Sequence, residues 1–310
     1  MDDQQPSSPA DWIVPASGSA AFGGLEAAVS DIASARALII PVPYDATTTY
    51  ITGTRQGPAA ILEASQQLEF FDEETRHEVF KVGIATLEEI EVDARGPGSM
   101  VARVETVGRW ALDTGLFPLM LGGEHLLSLG MIRAVAEESA DLTILHLDAH
   151  ADLRRTYQGS DYSNACVMRL AGRHGTVVSV GIRSLSLEED HWIRQQGLTV
   201  FYAADLRDNS RWQQQVVDCL GQEVYITIDL DVFDPAEMPA VGTPEPGGLH
   251  WYEVLKLLRL VCENRTVIGA DVMELCPQAA HSPANFTAAK LVYKILAYRF
   301  HGEISENSPA

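Results

Sequence analysis

The sequence is short of basic residues. Lysine and arginine together number 22 against 43 aspartate and glutamate residues, which gives a formal net charge of -21 at pH 7. A protein that binds nucleic acid is expected to show the opposite balance, so we expect no nucleic-acid partner. The negative field favours a cationic ligand over an anionic one, although an acidic surface also serves simply to keep a protein soluble.

Cysteines and long apolar runs are scarce as well. The four cysteines, Cys166, Cys219, Cys262 and Cys276, include no CxxC pair, and each lies in or beside an apolar segment. Buried, reduced thiols in a cytosolic protein are the simplest interpretation. No apolar run reaches the roughly 18 residues that a membrane-spanning helix needs, and the acidic, polar first residues are unlike a secretory signal. We therefore expect a cytoplasmic protein with no membrane partner.

The sequence does contain a regular alternation of short apolar runs and longer amphipathic stretches. Residues 1–24, rich in Pro, Ser, Gly and Ala, are interpreted as an N-terminal arm that is mobile or holds a neighbouring subunit. Residues 25–310 contain no linker or internal repeat and are expected to form one domain. The predicted strands are Ala37–Pro41, Lys81–Ile84, Phe117–Leu121, Leu142–Leu147, Val177–Gly181, Leu198–Phe201, Val224–Ile228 and Val267–Val272.

Amphipathic stretches separate these strands. The clearest helical patterns are Pro58–Phe70, Met100–Thr114, Leu126–Glu138, Glu188–Gln196, Trp251–Glu263 and Phe286–Tyr298. Several of the strands are apolar throughout, as parallel strands buried on both faces are. Strands and helices in alternation predict an α/β fold, in which helices cover both faces of a parallel sheet.

Polar clusters follow four of the predicted strands, where ligands of open α/β sheets bind. His125 comes after Gly122 and Gly123, which allow a tight turn at the end of a strand. On its own this histidine could equally cap or pack a helix. Asp148 and His150 lie two positions apart and therefore project from the same face of an extended segment.

The remaining clusters add more carboxylates. Asp152 can fold back from the loop after Asp148, and Asp229 and Asp231 again share one face of a strand. Two carboxylates so close repel each other unless a cation lies between them. Glu274 follows the last strand without a metal-binding neighbour, so substrate binding is its expected role. His146 lies deeper in its strand and is interpreted as a core or supporting residue rather than a ligand.

Together the clusters predict a metal site. Imidazole and carboxylate ligands suit a divalent ion such as Mn, Ni, Co or Zn. Four carboxylates in one crevice would carry a large desolvation and repulsion cost, which two divalent ions would neutralise. Two such ions can also generate a hydroxide nucleophile at neutral pH, so a hydrolase is expected. The predicted ligands are His125, Asp148, His150, Asp152, Asp229 and Asp231.

These residues stand in motifs that resemble those of the ureohydrolases, the family of arginases, agmatinases and related guanidino-acid hydrolases. The resemblance extends from about residue 37 to 300 and is greatest to the agmatinase branch. The segments that carry it are Pro43–Pro58, Gly122–His125, Asp148–Asp152, Asp229–Asp231, Gly242–Gly248 and Met273–Pro277. The resemblance implies a three-layer α/β/α arginase-like fold with an eight-stranded parallel sheet, and homo-oligomers that are trimers or hexamers.

The resemblance also implies roles for single residues. One metal would be held by His125, Asp148, Asp152 and Asp229, and the other by His150, Asp148, Asp229 and Asp231. Mn²⁺ is the expected ion and Ni²⁺ the alternative. Glu274 would bind the guanidinium group, Thr243 would contribute to substrate binding, and Asp152 would pass a proton to the leaving amine.

One position departs from the family pattern. Asn164 stands where ureohydrolases have a histidine in the loop after the metal motif. Imidazole can shuttle protons near neutral pH, whereas an amide cannot. Asn164, interpreted as a catalytic and substrate-binding position, is therefore open to three explanations. The substitution was introduced to slow turnover, it marks a different substrate, or it marks a non-catalytic subunit that assembles with an active paralogue.

The expected reaction is hydrolysis of a small cationic guanidino compound, agmatine foremost, to urea and an amine, here putrescine. Guanidinobutyrate or another guanidino acid would need a cationic anchor, which Arg154 or Arg155 could supply if they are not simply surface residues. A small guanidine derivative also suits the chemistry. Two other classes remain open at this point: a deacetylase-like hydrolase with a single zinc ion, and a scaffold subunit without turnover.

Overall fold

The computed structural model of the chain describes residues 13–278 and 283–307. Its centre is a sheet of eight strands, all paired in parallel. The strands are β1 (Ala37–Val42), β2 (Ile84–Thr86), β3 (Phe117–Gly122), β4 (Leu142–Leu147), β5 (Thr176–Ile182), β6 (Thr199–Tyr202), β7 (Glu223–Asp229) and β8 (Thr266–Met273). Their order across the sheet is β2-β1-β3-β8-β7-β4-β5-β6. A short antiparallel hairpin, Phe71–Asp72 with His77–Glu78, stands apart.

Helices connect the strands and cover both faces of the sheet. The α-helices of the described residues are α1 (Ala27–Ser30), α2 (Gly57–Ser65), α3 (Pro97–Asp113), α4 (Ser128–Glu138), α5 (Val167–Ala171), α6 (Leu187–Gln196), α7 (Ala203–Leu206), α8 (Trp212–Asp218), α9 (Trp251–Asn264) and α10 (Pro283–Asn307). Single 3₁₀ turns occupy Gly18–Ala20, Phe22–Gly24, Thr54–Gln56, Val79–Val82, His125–Leu127, Asn164–Cys166 and Leu230–Val232. None of the described helices is both long enough and apolar enough to cross a bilayer.

Two separate apolar cores lie on the two faces of the sheet. Successive residues of β1 alternate between them: Ile39 belongs to the core that includes residues of α2, α8, α9 and α10, whereas Leu38 and Ile40 belong to the core that includes residues of α3, α4, α5 and α6. Every residue of β1 is buried, because the side chains that leave one core enter the other. The prediction of a three-layer α/β/α arginase-like fold with an eight-stranded parallel sheet is confirmed.

The last helix, Pro283–Asn307, is longer than the predicted Phe286–Tyr298, and two further element boundaries were predicted wrongly. The predicted strand Lys81–Ile84 overlaps β2 at Ile84 alone, because residues 79–82 form a 3₁₀ turn and Gly83 has φ +82°. A side chain at Gly83 would place its Cβ 2.7 Å from Cα of Ala35, so only glycine permits this approach. The helix predicted over Pro58–Phe70 ends at Ser65, whose hydroxyl donates to the carbonyl of Leu62.

Part of the predicted N-terminal arm lies against the body of the same chain. Phe22 is fully buried, and its amide donates to the hydroxyl of Thr86 at 3.0 Å. Pro15 forms a bridge to Leu87 beyond the end of β2. Residues 1–12 of the predicted arm lie outside the described residues.

Candidate metal centre

The four strands that carry the polar clusters are neighbours in the middle of the sheet. Their order is β3, β8, β7, β4, and because all are parallel, their carboxyl ends lie at one edge. His125 follows β3, Glu274 follows β8, Asp229 ends β7, and Asp148 follows β4. Segments that are far apart in the sequence therefore deliver their side chains to one crevice, as expected for an open α/β sheet.

His125 is at the centre of a first group of ligands. Its Nδ1 atom lies 3.1 Å from Oδ2 of Asp148, 3.5 Å from Oδ2 of Asp152 and 3.4 Å from Oδ2 of Asp229. Its other ring nitrogen, Nε2, lies 2.8 Å from the hydroxyl oxygen of Thr227 on β7. The ring is thus held from behind, and its Nδ1 atom is directed at three carboxylates.

His150 is at the centre of a second group. Its Nδ1 atom lies 3.0 Å from Oδ2 of Asp231 and 3.5 Å from Oδ1 of Asp148. The other oxygen of Asp231 accepts a hydrogen bond from the amide of Ala149 at 3.0 Å, which fixes the carboxylate. Asp148 contributes one oxygen to each group, so the two groups share this residue.

His146 supports Asp148 rather than joining the ligands. Its Nε2 atom lies 2.8 Å from Oδ2 of Asp148, and its Nδ1 atom lies 3.0 Å from the hydroxyl of Ser179. Both ring nitrogens therefore have hydrogen-bond partners, although the side chain is close enough to His125, Asp148 and Asp152 to share a metal ion with them. The six predicted ligands and this supporting histidine all come together at the crevice.

The electrostatics of the crevice demand positive charge. Burial, with the nearby Asp231 and Asp148 carboxylates, raises the pKa of Asp229 well above its usual range, and burial with Asp148 raises the pKa of Asp152 likewise. Burial alone would lower the pKa of His150, but Asp231 and Asp148 outweigh it and raise the pKa to about 12. Protons on the imidazoles thus neutralise part of the carboxylate charge, as divalent cations would in the same place.

The residues fit a pair of divalent ions. The buried Nδ1 atom of His125 forms no hydrogen bond with any described residue, although it faces three carboxylates. An imidazole nitrogen with no hydrogen-bond partner, together with the carboxylate oxygens beside it, forms the set of ligand atoms that Mn²⁺, Ni²⁺ and similar ions prefer. Two groups of candidate ligands share Asp148, one with His125 and Asp152 and the other with His150 and Asp231, and each has the geometry to hold a divalent ion.

Glu274 and Asp152 have a strained backbone. Both lie in the left-handed region, with φ of +66° and +53°, which non-glycine residues rarely adopt. Such strain costs about 1–3 kcal/mol and is concentrated at functional sites. The Oε1 atom of Glu274 accepts a hydrogen bond of 2.7 Å from the amide of His125, so the strained turn places this carboxylate directly beside a predicted metal ligand.

A cavity of about 240 Å³ opens onto these groups. Its wall includes the predicted residues His125, His150, Asp152, Asn164, Asp229, Thr243 and Glu274. Thr243 donates its hydroxyl to Oδ2 of Asp231 at 3.2 Å, so it also steadies a predicted ligand. Asp148 and Asp231 lie beneath the wall, where they are almost fully buried.

The two arginines after the metal motif differ. Arg154 is on the cavity wall, where its guanidinium stacks over the ring of Tyr157 at 5.0 Å and lies 3.9 Å from Oε2 of Glu189. Arg155 is exposed and is not part of the wall. Of the two candidates for a carboxylate anchor, the structure brings only Arg154 to the cavity.

Several residues of the site carry no signal that sequence reasoning could use. Thr47 donates its hydroxyl to Oε1 of the fully buried Glu124 at 3.0 Å, and its own oxygen accepts the amide of Asn164 at 3.2 Å. Burial raises the pKa of Glu124 to about 7. The exposed ring of Tyr50 stands on the cavity wall. Only the position of Thr47 and Tyr50 within the Pro43–Pro58 motif could have indicated that they belong to the site.

Comparison with known proteins agrees with this geometry. A sequence model of the arginase family matches residues 35–297. The chain belongs to the arginase family. Within the family, it is 38% identical over 279 residues to the N(1)-aminopropylagmatine ureohydrolase of Synechocystis sp., covering 87% of this chain and 91% of that protein. It is 36% identical over 266 residues to the agmatinase of Bacillus anthracis, covering 84% of this chain and 90% of that protein.

A solved member of the arginase family has the same fold. The structure of agmatine ureohydrolase from Thermoplasma volcanium superposes with a TM-score of 0.82 at 31% identity, covering 91% of this chain and 95% of that one. The prediction of a ureohydrolase is confirmed, and with it a hydrolase of C–N bonds in linear amidines. The family match favours a ureohydrolase over the alternative of a deacetylase-like enzyme with a single zinc ion.

Proposed function

We propose that the protein hydrolyses the guanidinium group of a linear guanidino amine, with agmatine as the substrate, to urea and putrescine. The observation that carries this proposal is the position of Glu274, whose carboxylate lines the cavity and is hydrogen-bonded to the amide of the ligand His125. A guanidinium cation that pairs with Glu274 brings its central carbon beside the metal groups. Carboxylates recognise guanidinium through paired, charge-assisted hydrogen bonds.

Each group of the crevice then has a task. His125, Asp148, Asp152 and Asp229 would hold one ion, and His150, Asp148, Asp229 and Asp231 the other, with Mn²⁺ as the proposed metal and Ni²⁺ as the alternative. When bound, two such ions would lower the pKa of a water molecule, so that it can act as the nucleophile, and would neutralise the carboxylates.

The protein's own side chains complete the reaction. Glu274 orients the guanidinium group and stabilises its positive charge as the planar carbon becomes tetrahedral. Asp152 lines the same cavity, so its carboxyl group is placed to pass a proton to the leaving amine. Burial of Asp148 and Asp231 beneath the wall keeps bulk water from the far side of the ligands.

The end of the substrate opposite its guanidinium group would face a part of the cavity wall that has few unpaired charged side chains. Arg154 is the cation there, and Glu189 and the ring of Tyr157 hold its guanidinium group to the side. The exposed Tyr50 offers an aromatic face to an amine. With the acidic charge of the whole chain, these features support a substrate that carries a second positive charge rather than a carboxylate.

N(1)-aminopropylagmatine is the second candidate. Proteins named N(1)-aminopropylagmatine ureohydrolase in Synechocystis sp. and Thermus thermophilus are 38% and 36% identical to this chain. The extra aminopropyl group would extend beyond Tyr50, which is 74% exposed at the mouth of the cavity.

The test is urea release from matched guanidines by protein loaded with Mn²⁺ or Ni²⁺. Agmatine and N(1)-aminopropylagmatine are compared with 4-guanidinobutyrate, arginine and guanidine. We expect the highest kcat/KM for one of the two amines and a loss of about 100-fold or more for Glu274→Gln, with metal content unchanged. The proposal fails if guanidinobutyrate is the best substrate or if none of the five releases urea.

A further inference from the structure

The side chain of Asn164 joins two parts of the site. Its Oδ1 atom accepts the amide of Leu126 at 3.0 Å, and its Nδ2 atom donates to Oε1 of Glu274 at 3.1 Å. Because only the oxygen can accept from Leu126, the first bond decides which way the amide points. The donor end of Asn164 is therefore fixed toward Glu274.

Asn164 itself is held at the backbone. Its amide donates to the hydroxyl oxygen of Thr47 at 3.2 Å, and Thr47 donates to Glu124 at 3.0 Å. Glu124 is the residue before His125 in the chain and is fully buried. The hydrogen bonds thus form a ring of Glu124, Thr47, Asn164 and Glu274 that returns to the amide of His125. No member of this ring can shift without breaking a bond to the next.

The two carboxylate oxygens of Glu274 differ in their hydrogen-bond partners. Oε1 accepts from both Asn164 and the amide of His125, whereas no hydrogen bond from a described residue engages Oε2. Oε2 lies toward Gly242, at 3.4 Å from the place that a Cβ of this residue would take. Gly242 is on the cavity wall, so the oxygen without a protein donor faces the cavity.

We propose that Asn164 is a positioning residue, which orients Glu274 so that Oε2 is presented to the guanidinium group of the substrate. The inference rests on the proposed function. It explains the asparagine in physical terms: a donor is needed at this place, and the amide supplies one that does not depend on pH. Asn164 acts through Glu274 and moves no proton.

Histidine would not serve the same purpose. In a histidine with the same χ1 and χ2 angles, Nδ1 overlays the amide oxygen of Asn164 and Cδ2 overlays its nitrogen. The ring could still accept from Leu126, but a carbon would face Oε1 of Glu274. The orientation of the carboxylate would then depend on the bond from the amide of His125 alone.

The test uses three substitutions of Asn164 and measures agmatine hydrolysis and binding. Asn164→Asp replaces the donor by a second carboxylate, Asn164→Ala removes it, and Asn164→His tests the imidazole. We expect KM for agmatine to rise about 10-fold for Asn164→Ala and about 100-fold for Asn164→Asp, because a hydrogen bond to a charged group contributes about 1.5–3 kcal/mol. The KM of Asn164→His should also rise, while metal content and Tm remain near those of the wild type.

Asn209→Asp is the matched control. Asn209 also makes two side-chain hydrogen bonds, to Gln215 and to the amide of Arg211, but it is not on the cavity wall. Its KM should equal that of the wild type. KM within twofold of the wild type for Asn164→Asp, or a lower KM for Asn164→His, would overturn the proposal.

A second measurement separates this proposal from the proposed function. If the wild type releases urea from none of the five guanidines, the proposed function fails, and calorimetric titration of agmatine into the metal-loaded proteins replaces kinetics. Affinity should still fall from wild type to Asn164→Ala to Asn164→Asp. Equal affinities, or no binding by the wild type, would overturn the positioning role as well.

Discussion

The Nε2 atom of His125 and the hydroxyl of Thr227 are 2.8 Å apart, deep in the sheet. Thr227 in turn lies 2.6 Å from Oδ1 of Asp271, whose other oxygen accepts the hydroxyl of Tyr225 at 2.7 Å. If Thr227 gives its proton to Asp271, its oxygen can only accept from His125. The proton of the neutral imidazole then stays on Nε2, and Nδ1 keeps its lone pair for a metal ion.

Thr227→Val should therefore weaken metal binding. Valine has nearly the shape of threonine but cannot accept from His125, so the orientation and the tautomer of the ring are no longer fixed. Loss of such a supporting bond reduces metal affinity about 10- to 100-fold. The dissociation constant for Mn²⁺, measured by competition with a chelator, reports the effect without reference to turnover.

Thr143→Val is the matched control for this change. Thr143 is also a buried threonine of the sheet, and its hydroxyl accepts the amide of Gly221 at 3.0 Å rather than a bond from a ligand. It should lose stability but keep the Mn²⁺ affinity of the wild type. Equal affinities for the Thr227 and Thr143 variants would show that Thr227 does not position His125.

Removal of metal should make stability depend on pH. In the metal-free protein, the nearby carboxylates raise the pKa of His150 to about 12 and also raise that of His125. The ordinary pKa of an unfolded histidine is about 6.5, so above this pH the folded protein holds protons that the unfolded chain releases. The free energy of unfolding should then fall by about 1.4 kcal/mol per pH unit for each retained proton.

Urea denaturation at pH 7 and pH 9, with a chelator or with Mn²⁺, measures this dependence. The chelated protein should lose stability between the two pH values, and the loaded protein should lose much less. His150→Gln should reduce the slope of the chelated form, whereas the exposed His191→Gln should not. A chelated wild type with equal stability at pH 7 and pH 9 would contradict the expectation.

Lys294 on α10 should be essential for stability. It is 1% exposed, and its Nζ atom lies 2.7 Å from Asp72, 2.9 Å from Glu73 and 3.0 Å from Glu74 of the hairpin segment. Lys294→Met leaves the fully buried Asp72 without its cation, which should cost about 3–5 kcal/mol of unfolding free energy. Lys290→Met, one turn earlier on α10, should cost about 1 kcal/mol, the value of a single cation–π contact of a half-buried lysine. Similar losses for both would disprove the charge argument.

Gly123→Ala should disrupt the segment that carries His125. A Cβ at Gly123 would lie 2.0 Å from the carbonyl oxygen of Tyr44, and backbone atoms cannot yield as a flexible side chain can. We expect low Tm and loss of Mn²⁺ binding, measured by calorimetry and by metal analysis. Gly302→Ala, at an exposed position of α10 with no atom within 4 Å of the new Cβ, should instead raise stability by about 0.5–1 kcal/mol.

The fold could be predicted from the sequence because a strand that is buried on both faces appears as a short, continuous apolar run. The strands β3, β4 and β7 are apolar runs, and their predicted bounds differ from the observed ones by one residue at most at either end. β2 was misplaced because its position depends on Gly83 and on contact with Ala35, which lies far away in the sequence. Strand order has no local signal either, so the place of β8 between β3 and β7 came only from the structure.

The clustering of the candidate ligands was predictable from the sequence, and the residues that support them were not. Asp148, His150, Asp229 and Asp231 are spaced two apart at strand ends, and this spacing alone places them on one face. The hydrogen bond between Thr47 and Asn164 joins residues 117 positions apart, and nothing in either segment indicates it. The role of Asn164 beside Glu274 is therefore a property of the folded chain.

The position of β8 has a consequence for synthesis of the protein. Among the strands that the structure describes, β8 comes last in the sequence, yet it separates β3 from β7 in the finished sheet. Until it is made, the hydrogen bonds that join the half-sheet ending in β3 to the half-sheet ending in β7 cannot form, and Glu274 is absent. Pairing of this kind joins distant parts of the chain and is slow. The nascent chain therefore cannot assemble its complete metal crevice, and a truncation before Thr266 would leave two half-sheets with apolar edges open to aggregation.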